Sequence, residues 1–513
     1  MQSFLDRHQP DIIGVLTGFD RIRFAGTFRS MSYLKGFDKF LGAVGVLYKD
    51  FGKYAMRVSD RVKAHAQAYA ERYSRPVVYL ESSHTSKEDL ARRIAVRDGI
   101  QQGLICVLSC VEPCQTYTLR KNRETKHLEI MSAQRKCLHL YFYFLDREFG
   151  LMHVRLQTWL PLTMHVCLNG REYLARRLTR AGIGYEQRDN CFTRIDDLPR
   201  AQQMLNDLEK RDWAGFLNAL ARRLNPWVGG RDTVDVRGYY WTIRESELAT
   251  DVMFRSPQAL ARVYPALVGH ALEHFHCKDV LKFLGRGGNG RFHGEASGNL
   301  KHRSEGVRIK HWVDENSIKM YDKEGSVLRV ETTINNARRF KVRRVVTRNG
   351  ERVSAWLPMR KSVADVRRRA EISRAANERY FEALGVVGEQ SPTRSLTDPV
   401  SRRIVKDGRP YRALRPIDPE EAKLFALLVD GRFLIQGFRN RDLRAQLKPG
   451  VERNPDNRRR ASAQISRLLR LMRAHGLIRK VSTTSYYRVT PKGQQLMTVA
   501  LRLRELRTNA LAA

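Results

Sequence analysis

Acidic residues are scarce against bases in this sequence. It holds 54 Asp plus Glu and 93 Lys plus Arg over 513 residues, a formal charge of +39. Such a field repels cationic partners and attracts polyanions by releasing their condensed counterions, which makes nucleic acid the leading partner class. Long apolar runs are missing too. Nothing approaches the roughly 18 residues of a bilayer span, and no basic cluster flanks such a run, so a membrane partner is not expected. The start, MQSFLDRHQPDIIGVLTGFD, carries acids early and lacks a charged segment, an apolar core and a small-residue cleavage site in succession. A cytoplasmic protein without a secretory signal is the expectation. Cysteine is sparse and odd in number, seven in all, which suits reduced, buried thiols better than a disulfide framework. The run CVLSCVEPC spaces Cys106, Cys110 and Cys114 four apart, yet GLICVLSC reads as an apolar strand and no CxxC partner follows. Burial is therefore the better reading there than a metal site.

At 513 residues the chain exceeds one ordinary core and is expected to divide into two to four domains, for which 42% hydrophobic residues suffice. The expected class is α+β: two antiparallel-sheet-bearing units over residues 1–228 and 229–384, a linker over 385–417, and a mainly helical domain over 418–513. WVGGRDT marks the first boundary. GRGGNGRFHG, though glycine-rich, lacks the Gly-Lys-Ser/Thr of a phosphate cradle and reads as a loop.

In the first unit, Cys137 to Gly170 reads as three strands. Leu138, Leu140, Phe142, Phe144, Met152, Val154 and Leu156 alternate onto a core face. The opposite parity holds His139, Tyr141, Tyr143, His153, Arg155, Gln157 and Trp159, with His165 following. Three histidines on one face can hold a metal, and rings interleaved with cations can stack and grip an unpaired strand. In the second unit, GVRIKHWV, NSIKMYDK and VLRVETTI repeat the recipe. Their polar parity carries Arg308, Lys310, Trp312, Lys319, Tyr321, Arg329 and Glu331, while His311 falls on the apolar side as a core histidine. The recurrence suggests a duplicated α+β unit. Upstream, RESELATDVMF gathers Glu245, Glu247 and Asp251, with Glu247 and Asp251 four apart on one helical face. Paired carboxylates of that kind can complete a divalent-cation site with Glu331, Mg²⁺ or Mn²⁺ being the cation a nuclease uses.

IKMYDKEGSVLRVETTI also resembles the tyrosine-aspartate-lysine and arginine-x-glutamate strands of plasmid and filamentous-phage replication initiators. The match spans under twenty residues. It implies a DNA-nicking enzyme with Tyr321 as nucleophile or a neighbour of one and Glu331 as a metal ligand, a site that the paired carboxylates Glu247 and Asp251 would complete. Two departures stand out: the one His-hydrophobe-His, His274 to His276, ends a helix, and the one Tyr-x-x-x-Tyr, Tyr69 and Tyr73, precedes the sheets.

The last domain reads helix, helix, helix, strand, strand, helix, and LLRLMRAHGLIRKV with YYRVTPKGQQLM resembles a bacterial winged helix-turn-helix. In the third helix Ala461, Ile465, Leu468, Leu469 and Met472 form the inward stripe, and Arg459, Ala463, Ser466, Arg467 and Arg470 the outward one. With Arg479 and Lys480 on the following strand, this face suits duplex DNA. The expected function is thus a DNA-binding protein of a bacterial mobile or extrachromosomal element, a metal-dependent nicking initiator or transposase-like enzyme. Duplex DNA is the partner of the C-terminal domain, and single-stranded DNA or RNA that of the sheets, through Lys319, Arg329 and Trp312. The alternative is a non-catalytic winged-helix regulator or a single-strand or RNA binder, which needs the rings and cations but no converging acids. Oligomeric state is left open.

Overall fold

The computed structural model describes residues 1–229, 238–285, 295–304, 306–348, 350–387, 393–429, 433, 437–450, 454–481 and 484–506. The chain begins with α1 (Gln2–His8) and β1 (Ile12–Thr27), then α2 (Leu34–Ala43), α3 (Phe51–Arg72), β2 (Val77–Leu80) and α4 (Lys87–Arg97). A meander follows: β3 (Gly103–Lys121), β4 (Leu128–Asp146), β5 (Gly150–Gln157) and β6 (Met164–Asn169). It leads into α5 (Gly170–Arg180), the hairpin β7 (Tyr185–Arg188) and β8 (Cys191–Ile195), then α6 (Leu198–Glu209) and α7 (Trp213–Leu224). The plan then recurs. β9 (Tyr240–Phe254) is followed by α8 (Pro257–His274), α9 (Cys277–Phe283) and a second meander, β10 (Ala296–Arg303), β11 (Gly306–Val313), β12 (Asn316–Lys323) and β13 (Val327–Ile334). A hairpin, β14 (Lys341–Arg348) and β15 (Glu351–Pro358), precedes α10 (Val366–Leu384).

The two sheets expected from the sequence are halves of one mixed sheet of eleven strands, ordered β10-β11-β12-β13-β9-β1-β6-β5-β4-β3-β2. Only β2 and β3 pair in parallel among these strands. The halves fuse because β1 and β9 form an antiparallel ladder from Ile12↔Phe254 to Thr27↔Tyr240, which leaves neither a free edge at the seam. Outward from that seam the order is the same on both sides, β1-β6-β5-β4-β3 and β9-β13-β12-β11-β10. The recurrence read from the sequence is thus a recurrence of architecture. The boundary expected near residue 228 falls between α7 and β9, and strands from both sides of it share this sheet.

Alternation along the strands decides which face carries what. Phe142, Val154 and Val166 in one half meet α2, α3 and α7, and Ile309, Met320 and Val330 in the other meet α8, α9 and α10. The opposite faces of the same strands carry the polar parity, so the two polar faces expected separately run together across the seam. Two parts of it are covered. Near one edge α4 packs Ala91 and Ile94 on Tyr141 and Tyr143. Over one end of the central strands β1, β9 and β13, α5, the β7–β8 hairpin and α6 pack on Leu16, Met253 and Val327. The α5 entry is tight: a Cβ on Gly170 would lie 1.8 Å from the Phe19 carbonyl oxygen, so only glycine fits. Beyond the reach of β6, Gln202 on α6 replaces a strand neighbour by bonding both the N–H and the C=O of Thr17.

The stretch expected as a linker holds α11 (Arg394–Thr397) and a hairpin, β16 (Ile404–Lys406) and β17 (Arg409–Tyr411), within its described residues. Val400 and Leu414 are buried with Phe425, Leu469 and Met497, so this segment is part of the C-terminal core. That core is completed by α12 (Pro419–Leu428), α13 (Asn440–Leu447), α14 (Pro455–Ala474), β18 (Ile478–Lys480), β19 (Tyr487–Val489) and α15 (Pro491–Glu505). The glycine-rich run at 286–294 and Asn349 of the hairpin turn lie outside the described residues. Among the described residues no helix is long and apolar enough to cross a membrane.

Candidate functional site

The acids expected to share a helical face lie on a strand instead. RESELATDVMF falls within β9, where residues two apart face the same way, so Glu245, Glu247 and Asp251 still point to the polar side. Across the seam Arg21 opposes Glu247, near the middle of the β1–β9 ladder. On the other side Asp251 opposes Arg329, and Ala249 opposes Glu331. Because Ala249 has almost no side chain, Glu331 can lean inward over it. Carboxylate oxygens of Asp20, Glu247 and Glu331 consequently lie within 4.8 Å of one another, all three residues buried, the one such His/Cys/Asp/Glu group among the described residues.

Four cations surround them at two depths. Arg329 and Arg171 are wholly buried. Arg329 bonds Asp251 through Nε at 2.6 Å and Nη2 at 2.8 Å, and Asp20 through Nη1 at 3.1 Å. Arg171, at the start of α5, reaches Asp251 at 2.9 Å and Asp20 at 3.8 Å. Asp251 is thus the counter-ion of two buried arginines and stands outside the three-carboxylate group. This corrects its expected place beside Glu331 in a carboxylate group: the third member is Asp20. Arg329 is corrected likewise, because a fully buried, doubly paired guanidinium offers no donor to a DNA phosphate.

The outer two cations face solvent. Arg21, with a side chain 40% exposed, forks onto Glu247 at 2.9 and 3.1 Å. Lys319, 17% exposed, meets Glu331 at 2.8 Å. Arg21 and Arg23 also approach Glu245, at 3.8 and 3.3 Å. One end of the group is closed by the β7–β8 turn. Asn190 donates to Asp20 at 2.7 Å and its carbonyl accepts from Arg329, while Asp189 takes Lys323.

Burial sets the protonation states. Desolvation pushes the Asp20 carboxyl above its ordinary value; Arg329 opposes that and neighbouring Glu331 adds to it. Asp251 goes the other way: burial would raise it, but Arg171 and Arg329 more than reverse the effect. Burial would lower Lys319, yet Glu331 and Glu247 hold it above the ordinary lysine value. Tyr321, 5% exposed, donates to Glu331 Oε2 at 3.2 Å, and desolvation with the Glu331 charge pushes its phenol far up.

The chain matches no protein-family model, curated protein or solved structure.

Other expected residues fall into place around this centre or away from it. His139, His153 and His165 do not form a ligand group: His139 is taken up by Arg155 and the Cys137 carbonyl, at 3.0 and 3.2 Å. Tyr141 and Tyr143 lie buried beneath α4, so they are no stacking platform. Trp312 is half-buried, with Lys310 over its ring at 6.0 Å. His311 is a core histidine, 3.3 Å from the Tyr380 hydroxyl. In the C-terminal domain Arg459, Arg467, Arg470, Arg479 and Lys480 are exposed. Ser466 is not part of that outward face. Its hydroxyl accepts from Asn440 at 2.9 Å and joins α14 to α13.

Asp20, Arg21 and Arg171 are the residues sequence reasoning misses. LTGFDRIRF alternates poorly because Gly18 and the irregular pairing between Phe19 and Arg21 interrupt it, and Arg171 reads as an ordinary helix-start residue.

Proposed function

We propose that the polar sheet face binds a DNA strand and that Asp20, Glu247 and Glu331 hold a divalent cation that promotes phosphodiester cleavage. The observation carrying this reading is the convergence of three buried carboxylates, from β1, β9 and β13, near the middle of a face otherwise rich in arginine and lysine. Acids concentrated at such a place weaken binding to an anionic backbone unless they serve a cation. A cation there supplies Lewis-acid stabilisation of the charge that develops on the phosphate. Arg21 and Lys319, being the solvent-facing partners, are the groups free to swing from carboxylate to phosphate, whereas Arg171 and Arg329 stay fixed to Asp251. Tyr321 keeps its proton at neutral pH, so its attack requires a base, and Glu331 Oε2 is the acceptor already in place. The exposed arginines of α14 support duplex binding by the C-terminal domain as a winged helix, which carries the nicking centre to its site.

A second reading rests on a specific observation: each of the three carboxylates is already engaged by this chain's own donors. In that case the network is structural and the face only binds. Incubating supercoiled DNA with the full-length protein and Mn²⁺ separates the two. Cleavage by the wild type that Asp20→Asn and Glu331→Gln each reduce by roughly a hundredfold or more supports the enzyme. Protein left covalently on the DNA, and lost in Tyr321→Phe, assigns the attack to the tyrosine. Salt-sensitive binding without cleavage supports the binder.

A further inference from the structure

Beside the carboxylates the polar face dips into a cleft of about 900 Å³ formed over β6, β5 and β4. Its volume lies within the range of sites that engulf a whole small molecule. The floor is polar. Gln157 is buried, and His139 is fixed as one tautomer, with Nδ1–H donating to the Cys137 carbonyl and Nε2 accepting from Arg155. Burial, then the Arg155 charge, lowers His139 to about 4 and His165 to about 3, so both rings are neutral. His165 lines the cleft, and its ring nitrogens are not engaged by another described residue. At the mouth Arg244 and Lys361 are exposed, and among the lining residues Glu315 is the only acid against Arg155, Arg244 and Lys361.

These groups match one ligand chemistry. A neutral imidazole such as His165 can read the edge of a base or stack on it, while cations at the rim take a phosphate; the Gln157 amide is spent on the Trp159 and Gln115 carbonyls and shapes the floor. The cleft also adjoins the carboxylate group along β9, because Arg244 precedes Glu245, which is paired with Arg21 and Arg23. Its lining includes Ala25 of β1 and Arg244 of β9, the strands that carry Asp20 and Glu247. A concave site so placed suits a base turned out of a strand whose backbone continues over the seam.

We propose that this cleft is the subsite for one unpaired nucleotide of the DNA strand bound across the sheet face, with His165 reading the base and Arg244 and Lys361 holding its phosphate. The proposal rests on the reading of that face as a DNA surface, but not on cleavage. Its test is therefore made in EDTA. Fluorescence anisotropy of full-length protein with labelled homopolymer oligodeoxynucleotides of about twelve residues gives affinity and base preference, with free thymidine monophosphate as a separate probe. Arg244→Glu with Lys361→Glu, both at exposed positions, is expected to weaken the oligonucleotides by about tenfold or more. His165→Ala is expected to retain most affinity but level the differences among the four homopolymers. Unchanged affinity in the double variant, or an unchanged base preference in His165→Ala, overturns the assignment. So does tight binding of the free mononucleotide that oligonucleotides cannot displace, which marks a nucleotide effector site instead. Loss of cleavage in the carboxylate variants leaves this result untouched, so the two proposals fail separately.

Discussion

Asp251 carries more of the fold than of the chemistry. It is the carboxylate through which two fully buried arginines, Arg171 and Arg329, are neutralised, and it joins α5 to β9 and β13. Removing one partner of such a group leaves uncompensated charge in the interior, so Asp251→Asn is expected to destabilise the protein by about 3–5 kcal/mol near neutral pH. Its folded carboxyl lies below the ordinary 3.8, which fixes the sign of the pH dependence. The contribution is present above that value and fades as pH falls below it through the lower folded pKa. Urea unfolding of wild type and variant, followed down in pH, should show the gap narrowing below pH ~4; a constant gap contradicts the assignment. At this scale the sequence is only partly legible. Glu331 can be picked out because alternation places it on polar parity among cations, and Glu247 because it sits among clustered acids, though at a spacing that reads as helical. Asp20 cannot, since its role arises from a pairing between strands more than 200 positions apart that no local pattern records.

Element by element, the strands are easier to read than their partners. Period-two alternation marks β4, β5, β11, β12 and β13 and their core faces, because apolar and polar side chains alternate along each whether or not the polar face is later covered. β9 is harder. Buried on both faces along most of its length, it loses clean alternation and its carboxylates fall at a spacing that also fits a helix. For α14, helical periodicity gives the buried Ala461, Ile465, Leu469 and Met472, whereas Ser466 looks outward on a wheel and is instead tied to Asn440. The arginines that remain exposed make a definite prediction. Arg467→Ala with Arg470→Ala should weaken duplex binding on all sequences and flatten the logarithmic salt dependence by about one unit per lost phosphate contact, and relax base preference only if either side chain pairs with a base. Anisotropy titrations across a salt series read this directly; an unchanged slope removes α14 from the duplex interface.

At the scale of the whole molecule, the two halves repeat one plan but do not carry the same chemistry. The strands of the second half bring Glu331, Lys319 and Tyr321 toward the seam, while those of the first bring His139, His165 and Arg155 to a cleft. The cleft therefore lies to one side of the seam, while the acids, Asp20 from the first half and Glu247 and Glu331 from the second, lie along it. The seam itself is invisible in the sequence, because both halves read as complete sheets and nothing local says that β1 and β9 pair. The central claim is that the three carboxylates on this seam hold a divalent cation. Its most direct test is calorimetric titration of the full-length protein with Mn²⁺, beside Asp20→Asn and Glu331→Gln. The account predicts a binding isotherm in the wild type that weakens as pH falls and protons compete for Asp20, and that each substitution abolishes. Wild type that takes up no Mn²⁺, or variants that bind it as well as wild type, would contradict it.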